Sequence, residues 1–131
     1  MDYRDVLEEI ELKGGVAVDP AVRFMIEACR KMSLSGQAQE SLEVAARYMR
    51  SETSGDGLEA ARVRCWQSIE GHDADLSDKR LATTRAVICT LYPRDRQDDL
   101  FETLDAFGEF ALAAGVSSAD LVEGLRRAFA V

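Results

Sequence analysis

Apolar residues recur at intervals of three and four along nearly the whole chain, the spacing that lines one face of an α-helix. Tyr3, Val6, Leu7 and Ile10 make the first stripe, in a helix expected over Asp2 to Lys13 and stopped by Gly14-Gly15. Asp19-Pro20 reads as the start of a second helix, an N-cap acceptor followed by proline at the first helical position. Its stripe is Val22, Met25, Ile26, Cys29 and Met32, broken at Ser33 to Gly36. A third helix, Gln37 to Ser51, turns Ala38, Leu42, Ala45, Ala46 and Met49 inward. Thr53-Ser54-Gly55-Asp56-Gly57 reads as a loop before a fourth helix, Leu58 to Glu70, with Leu58, Ala61, Cys65 and Ile69 inward. The small alanines of these two helices permit close approach, which predicts an antiparallel hairpin.

The second half repeats the pattern. Ser77 or Asp78 can cap a fifth helix, Lys79 to Tyr92, ended by Pro93. Its inward side is Leu81, Ala82, Ile88, Cys89 and Leu91, with Arg85 partly inward. The sixth, Asp98 to Ala114, is the most apolar, with Leu100, Phe101, Leu104, Phe107, Phe110 and Ala111. Ser117-Ser118-Ala119-Asp120 caps a last helix carrying Leu121, Val122, Leu125, Ala128 and Phe129. The whole predicts an all-α fold, a compact bundle of about six to seven short helices in hairpins with short loops. No fixed repeat and no boundary interrupts it, so residues 1–131 read as a single helical domain.

Charge narrows the function classes. A formal net charge of −8 speaks against nucleic acid and against an anionic membrane surface, both of which need clustered Lys and Arg. No apolar run reaches the roughly 20 residues that span a bilayer. The start, Met1-Asp2-Tyr3-Arg4-Asp5, lacks the apolar core of a signal peptide, and the expectation is a cytoplasmic protein. Cys29, Cys65 and Cys89 are odd in number and far apart, a poor disulfide framework and a poor zinc site, and each falls on an apolar face as a buried free thiol.

Few residues suggest chemistry. His72, the single histidine, stands beside Asp73, Asp75 and Asp78. Asp73, Asp75 and Ser77 match the first, third and fifth ligand positions of an EF-hand loop, but Asp78 replaces the glycine at the sixth and Thr84 the glutamate at the twelfth. A solvated loop near the positive end of the next helix accounts for these acids without a metal. No nucleophile elbow and no phosphate-binding glycine loop is present, so the expectation is a protein without catalytic residues, metal or cofactor. Trp66 reads first as a core neighbour of Cys65 and second as an interface anchor, with Arg47, Tyr48 and Arg50 as neighbours across the hairpin.

The sharpest feature is an acidic stripe. Asp98, Glu102, Asp105 and Glu109 follow at intervals of four, three and four, which places them on one narrow face opposite Leu100, Leu104, Phe107 and Ala111. Like charges at such spacings cost about 0.2–0.5 kcal/mol per pair, and no lysine or arginine lies inside this helix to offset them. The plain reading is a solvated face. The functional reading is a surface for a basic partner, which Asp2, Asp5, Glu8 and Glu9 extend if the first helix packs nearby.

Two stretches resemble a known group. Ala45-Ala46-Arg47-Tyr48-Met49-Arg50, followed by Leu58-Glu59-Ala60-Ala61-Arg62 and Trp66, resembles the helix-hairpin pattern of the small helical immunity proteins of bacterial polymorphic toxin systems. Arg85 to Pro93 with the acidic helix after it is similar to small bacterial helical proteins of unassigned role, and the two stretches together cover about half the chain. The resemblance implies inhibition of a toxin domain by tight binding, and it carries over no catalytic residue. The expectation is therefore an immunity-like or antitoxin-like binder of a basic protein, through Asp98, Glu102, Asp105, Glu109 and Trp66. The alternative is a self-associating helical module, a homodimer whose apolar face would include Phe101 and Phe110.

Overall fold

Helix starts leave backbone N–H groups without partners, and short acidic or hydroxyl side chains take several of them up here. In the computed structural model, which describes residues 2–34, 36–71, 77–96 and 99–131 without the Arg96 side chain, four helices begin on a side-chain cap. Helix α1, Tyr3–Lys13, opens with a reciprocal capping box between Asp2 and Asp5. Asp78 caps α5, Lys79–Ile88, through the Arg80 N–H. Asp99 caps α6, Leu100–Ala113, through the Glu102 N–H, and Ser117 caps α7, Ser118–Phe129, through the Asp120 N–H. The remaining helices are α2, Val18–Cys29, α3, Gly36–Met49, and α4, Gly55–Ser68, and a single 3₁₀ turn lies at Arg94–Arg96. Among the described residues the fold is all-α, seven helices packed as a bundle, as the periodicity predicts.

Among the boundaries that differ from the sequence reading, three have a visible local cause. Helix α2 begins before Asp19, with Ala17 at the cap, so Pro20 is its third residue. Proline is tolerated there because the first-turn N–H groups lack helical acceptors anyway. Asp19, relieved of capping, receives the Arg94 guanidinium at 2.8 Å. Helix α4 takes in Gly55-Asp56-Gly57, expected as loop, with extended Ser54 at its cap. A Cβ on Gly57 would stand 2.5 Å from Thr53 Oγ1, so a side chain there would displace Thr53. Helix α5 stops at Ile88, because the chain tightens into i→i+3 bonds, Thr90 N–H to Val87 O and Leu91 N–H to Ile88 O, before Pro93.

Packing follows the apolar stripes. The α3–α4 contact is the most extensive between helices. Ser41 Oγ lies 3.5 Å from Ala61 O, and the short 50–54 connection joins the other ends, so the two run antiparallel. Helix α2 touches α3, α5, α6 and α7 and is the hub, while α1 closes over α6 and α7. At the centre Phe24 meets Phe107 edge-on, with centroids 5.8 Å apart, and stacks against Tyr3 at 6.1 Å. The Tyr3 hydroxyl donates to Leu104 O at 2.6 Å. Two glycines let these rings close up: a Cβ on Gly108 would sit 2.5 Å from Tyr3 Cε2, and one on Gly124 would sit 3.3 Å from Phe24.

Cys29, Cys65 and Cys89 are buried free thiols, as expected. Burial raises the pKa of Cys29 and pushes the Cys89 thiol up to about 12. Among the described residues no helix is long and apolar enough to cross a membrane.

Candidate functional site: an aromatic groove beside an acidic helix face

Trp66 lies on α4, near the end of the α3–α4 hairpin opposite its connection, and remains 36% exposed. Tyr48 lies toward the connection end, where its ring underlies Arg94 at 5.2 Å and its hydroxyl accepts the Arg94 N–H at 3.2 Å. Arg50 turns to Glu52 at 2.8 Å. The neighbourhood expected for Trp66 is thus corrected: its neighbour is Arg85 of α5, whose guanidinium carbon stands 5.0 Å from the Trp66 ring centroid. The same carbon is 4.8 Å from the centroid of Phe110 on α6. A planar cation close to the faces of two aromatic rings is attracted to both.

This stack forms one end of a groove of about 370 Å³ between α4, α5 and α6. Ile88, Cys89 and Ala106 supply its apolar lining, and Tyr92 stands where the chain leaves α5. Arg62 of α4 lies 4.7 Å from the Tyr92 centroid and donates to Leu91 O at 2.7 Å, which fixes that wall to α4. The first turns of α6 add Asp99, Glu102 and Thr103. Asp99 is occupied in part, since it accepts the Glu102 N–H at 3.1 Å as helix cap. Thr103 Oγ1 turns back to donate to Asp99 O at 3.1 Å.

The acidic stripe is present in part. Glu102 and Glu109 are exposed, and among the described residues neither has an ion-pair partner within 4 Å. Asp98 lies outside the described residues, as do His72, Asp73 and Asp75. Asp105 departs from the expectation of an unrelieved row of like charge. It is half-buried and receives Arg4 of α1 at 2.7 Å, and the same guanidinium reaches Glu8 at 3.2 Å. The offsetting charge absent from α6 comes from a helix 101 residues away in sequence. The opposite face, Leu100, Leu104, Phe107 and Ala111, is buried as expected.

Helix α1 does pack on α6, yet only part of its acid reaches that face. Asp2 and Asp5 cap their own helix. Glu8 joins the Arg4 bridge, while Glu9 turns toward Lys13 at 3.8 Å and Arg126 of α7 at 3.6 Å. The pair proposed as an apolar dimer face carries a cation over each ring. Phe110 is buried against Arg85, and Phe101 is half-buried with Arg4 at 5.2 Å from its ring.

Of the residues singled out in sequence, Trp66 and Glu102 meet in one groove, whereas Asp105 and Glu109 lie along the neighbouring face. Arg85, Tyr92 and Phe110 belong to the groove; Arg85 and Tyr92 were read only as helix positions, and Phe110 as core or dimer face. One signal was available: an arginine on the inward side of an apolar stripe has to find a partner there. Comparison with known proteins gives no match: no family model fits the chain, and no curated protein or solved structure is similar to it.

Proposed function

We propose that the protein is a small binding module without catalytic activity, of the immunity or antitoxin kind, that meets a basic protein over α6 and the neighbouring edge of α4. The observation that carries this reading is the convergence of half-exposed Trp66 and the carboxylate of Glu102 on one groove. Binding surfaces gain most of their energy from such aromatic anchors, while surrounding charges set encounter rate and partner choice. Glu109 continues the negative face about two turns further along α6, and the chain's net charge of −8 reinforces it. The self-associating alternative is less favoured, because Phe101 and Phe110 are engaged by Arg4 and Arg85.

The test is affinity capture from a lysate of the source cells at low and moderate salt, with the wild type and E102K/E109K as baits. Asp105 is left alone, since its bond to Arg4 would mix stability with binding. The expected outcome is one basic protein held by the wild type at low salt, released as salt rises, and held poorly by the double variant. Equal recovery on both baits overturns the reading.

A further inference from the structure

The acidic face of α6 suits approach by a basic protein, and the groove beside it suggests what that protein inserts. We propose that the groove between α4, α5 and α6 is a preformed socket for an apolar side chain of the partner flanked by a basic residue, with Arg85 as the strut that holds it open. This rests on the reading of the chain as a binder of a basic protein.

Three observations support it. First, the space has a small-site size, about 370 Å³, with apolar surface from Ile88, Cys89 and Ala106. Second, two of its walls share one cation. The Arg85 guanidinium carbon stands over both the Trp66 and the Phe110 ring, at 5.0 and 4.8 Å from their centroids, so one side chain of α5 braces α4 and α6 at this end. A lysine would keep the charge but not the broad planar group. Third, the charge selects the flank. Among the described residues the groove lining holds one cation, Arg85, against two carboxylates, Asp99 and Glu102, with exposed Glu109 on the same helix. That surplus attracts Arg or Lys beside the inserted side chain and repels an acidic segment, a second copy of this chain included, since each copy carries −8.

Trp66 is the only tryptophan, so its emission reports on the socket directly. The probes are capped pentapeptides Gly-Arg-Leu-Arg-Gly, Gly-Arg-Ala-Arg-Gly and Gly-Glu-Leu-Glu-Gly, titrated at low salt. The proposal expects a saturable emission change with the first, and binding about tenfold weaker for the alanine peptide, which buries less apolar surface. The acidic peptide and the variant Glu102→Gln should each lose binding as well. Arg85→Ala and Arg85→Lys should both weaken it, with circular dichroism and melting showing that each variant is folded. If Arg85 mattered only as a charge, Arg85→Ala would tighten binding of the basic peptide, and the strut is overturned. If the alanine peptide binds as well as the leucine peptide and still depends on Glu102, the socket is overturned while the acidic-face reading stands. If the acidic peptide binds equally well, both fall. No saturable change with any peptide overturns the socket.

Discussion

Two aromatic clusters in this protein are built from similar rings and end in opposite states. Tyr3, Phe24 and Phe107 close on one another beneath α1, and all three are buried. Trp66 and Phe110 each carry the Arg85 guanidinium over the ring, and Trp66 meets solvent. The difference lies in what occupies the space between helices. Gly108 and Gly124 remove side chains exactly where rings need room, so α1, α2, α6 and α7 draw together. On α5 the corresponding position holds a long cationic side chain, Arg85, which lines the groove beside both rings. Closure requires subtraction at the contact; an opening requires something that resists collapse.

The comparison can be broken from its strong side first. Phe107→Ala leaves a cavity at a fully buried position and should cost about 3–5 kcal/mol, read by urea unfolding. A cost under 1 kcal/mol would mean that the sealed cluster is not packed as described. Gly108→Ala should cost about 1–3 kcal/mol by forcing Tyr3 aside, even though alanine favours a helix. On the open side, Arg85→Lys keeps the charge and loses the two flat contacts. It should cost about 1 kcal/mol, with a change in Trp66 emission that neither core substitution produces.

A third ring-and-cation pair sharpens the contrast. Arg94 lies over Tyr48 but is also tied to a carboxylate, Asp19, and the Arg94 hydrogen bond holds the Asp19 pKa below its ordinary value. A carboxylate with a lowered folded pKa stabilises the fold above its unfolded pKa, and that contribution disappears as pH falls through the lowered value. The stability difference between wild type and Asp19→Asn should therefore be constant near neutral pH and fade in acid, below the usual carboxylate range. Its size should stay below about 1 kcal/mol, because both partners are exposed. A difference that grows in acid would assign Asp19 the wrong sign.

The stripes of α2, α3, α4 and α6 were legible because burial on one face imposes a period that local sequence shows directly. The helix starts were less so. Asp19-Pro20 looks like a cap and first residue, but the Arg94 bond gives Asp19 another task, and that bond joins residues 75 apart. Gly55-Asp56-Gly57 looks like loop, and only the packed Thr53 side chain explains a glycine inside the first turn of α4. At the groove, Trp66 and Glu102 could each be singled out, but not their meeting, since no local pattern links α4 to α6. The ion pair of Asp105 was hidden for the same reason: its partner, Arg4, lies 101 residues earlier.

The long reach of α1 also sets an order on the making of the protein. Tyr3 finds Leu104 only after 101 further residues exist, and α7 follows later still. At a synthesis rate of about 5–20 residues per second, the apolar stripe of α1 waits roughly 5–20 seconds for its cover. The α3–α4 hairpin, whose partners adjoin in sequence, can form on the ribosome well before that. During this interval Tyr3, Val6, Leu7 and Ile10 lack the helices that cover them in the folded chain, and the last two helices complete the burial.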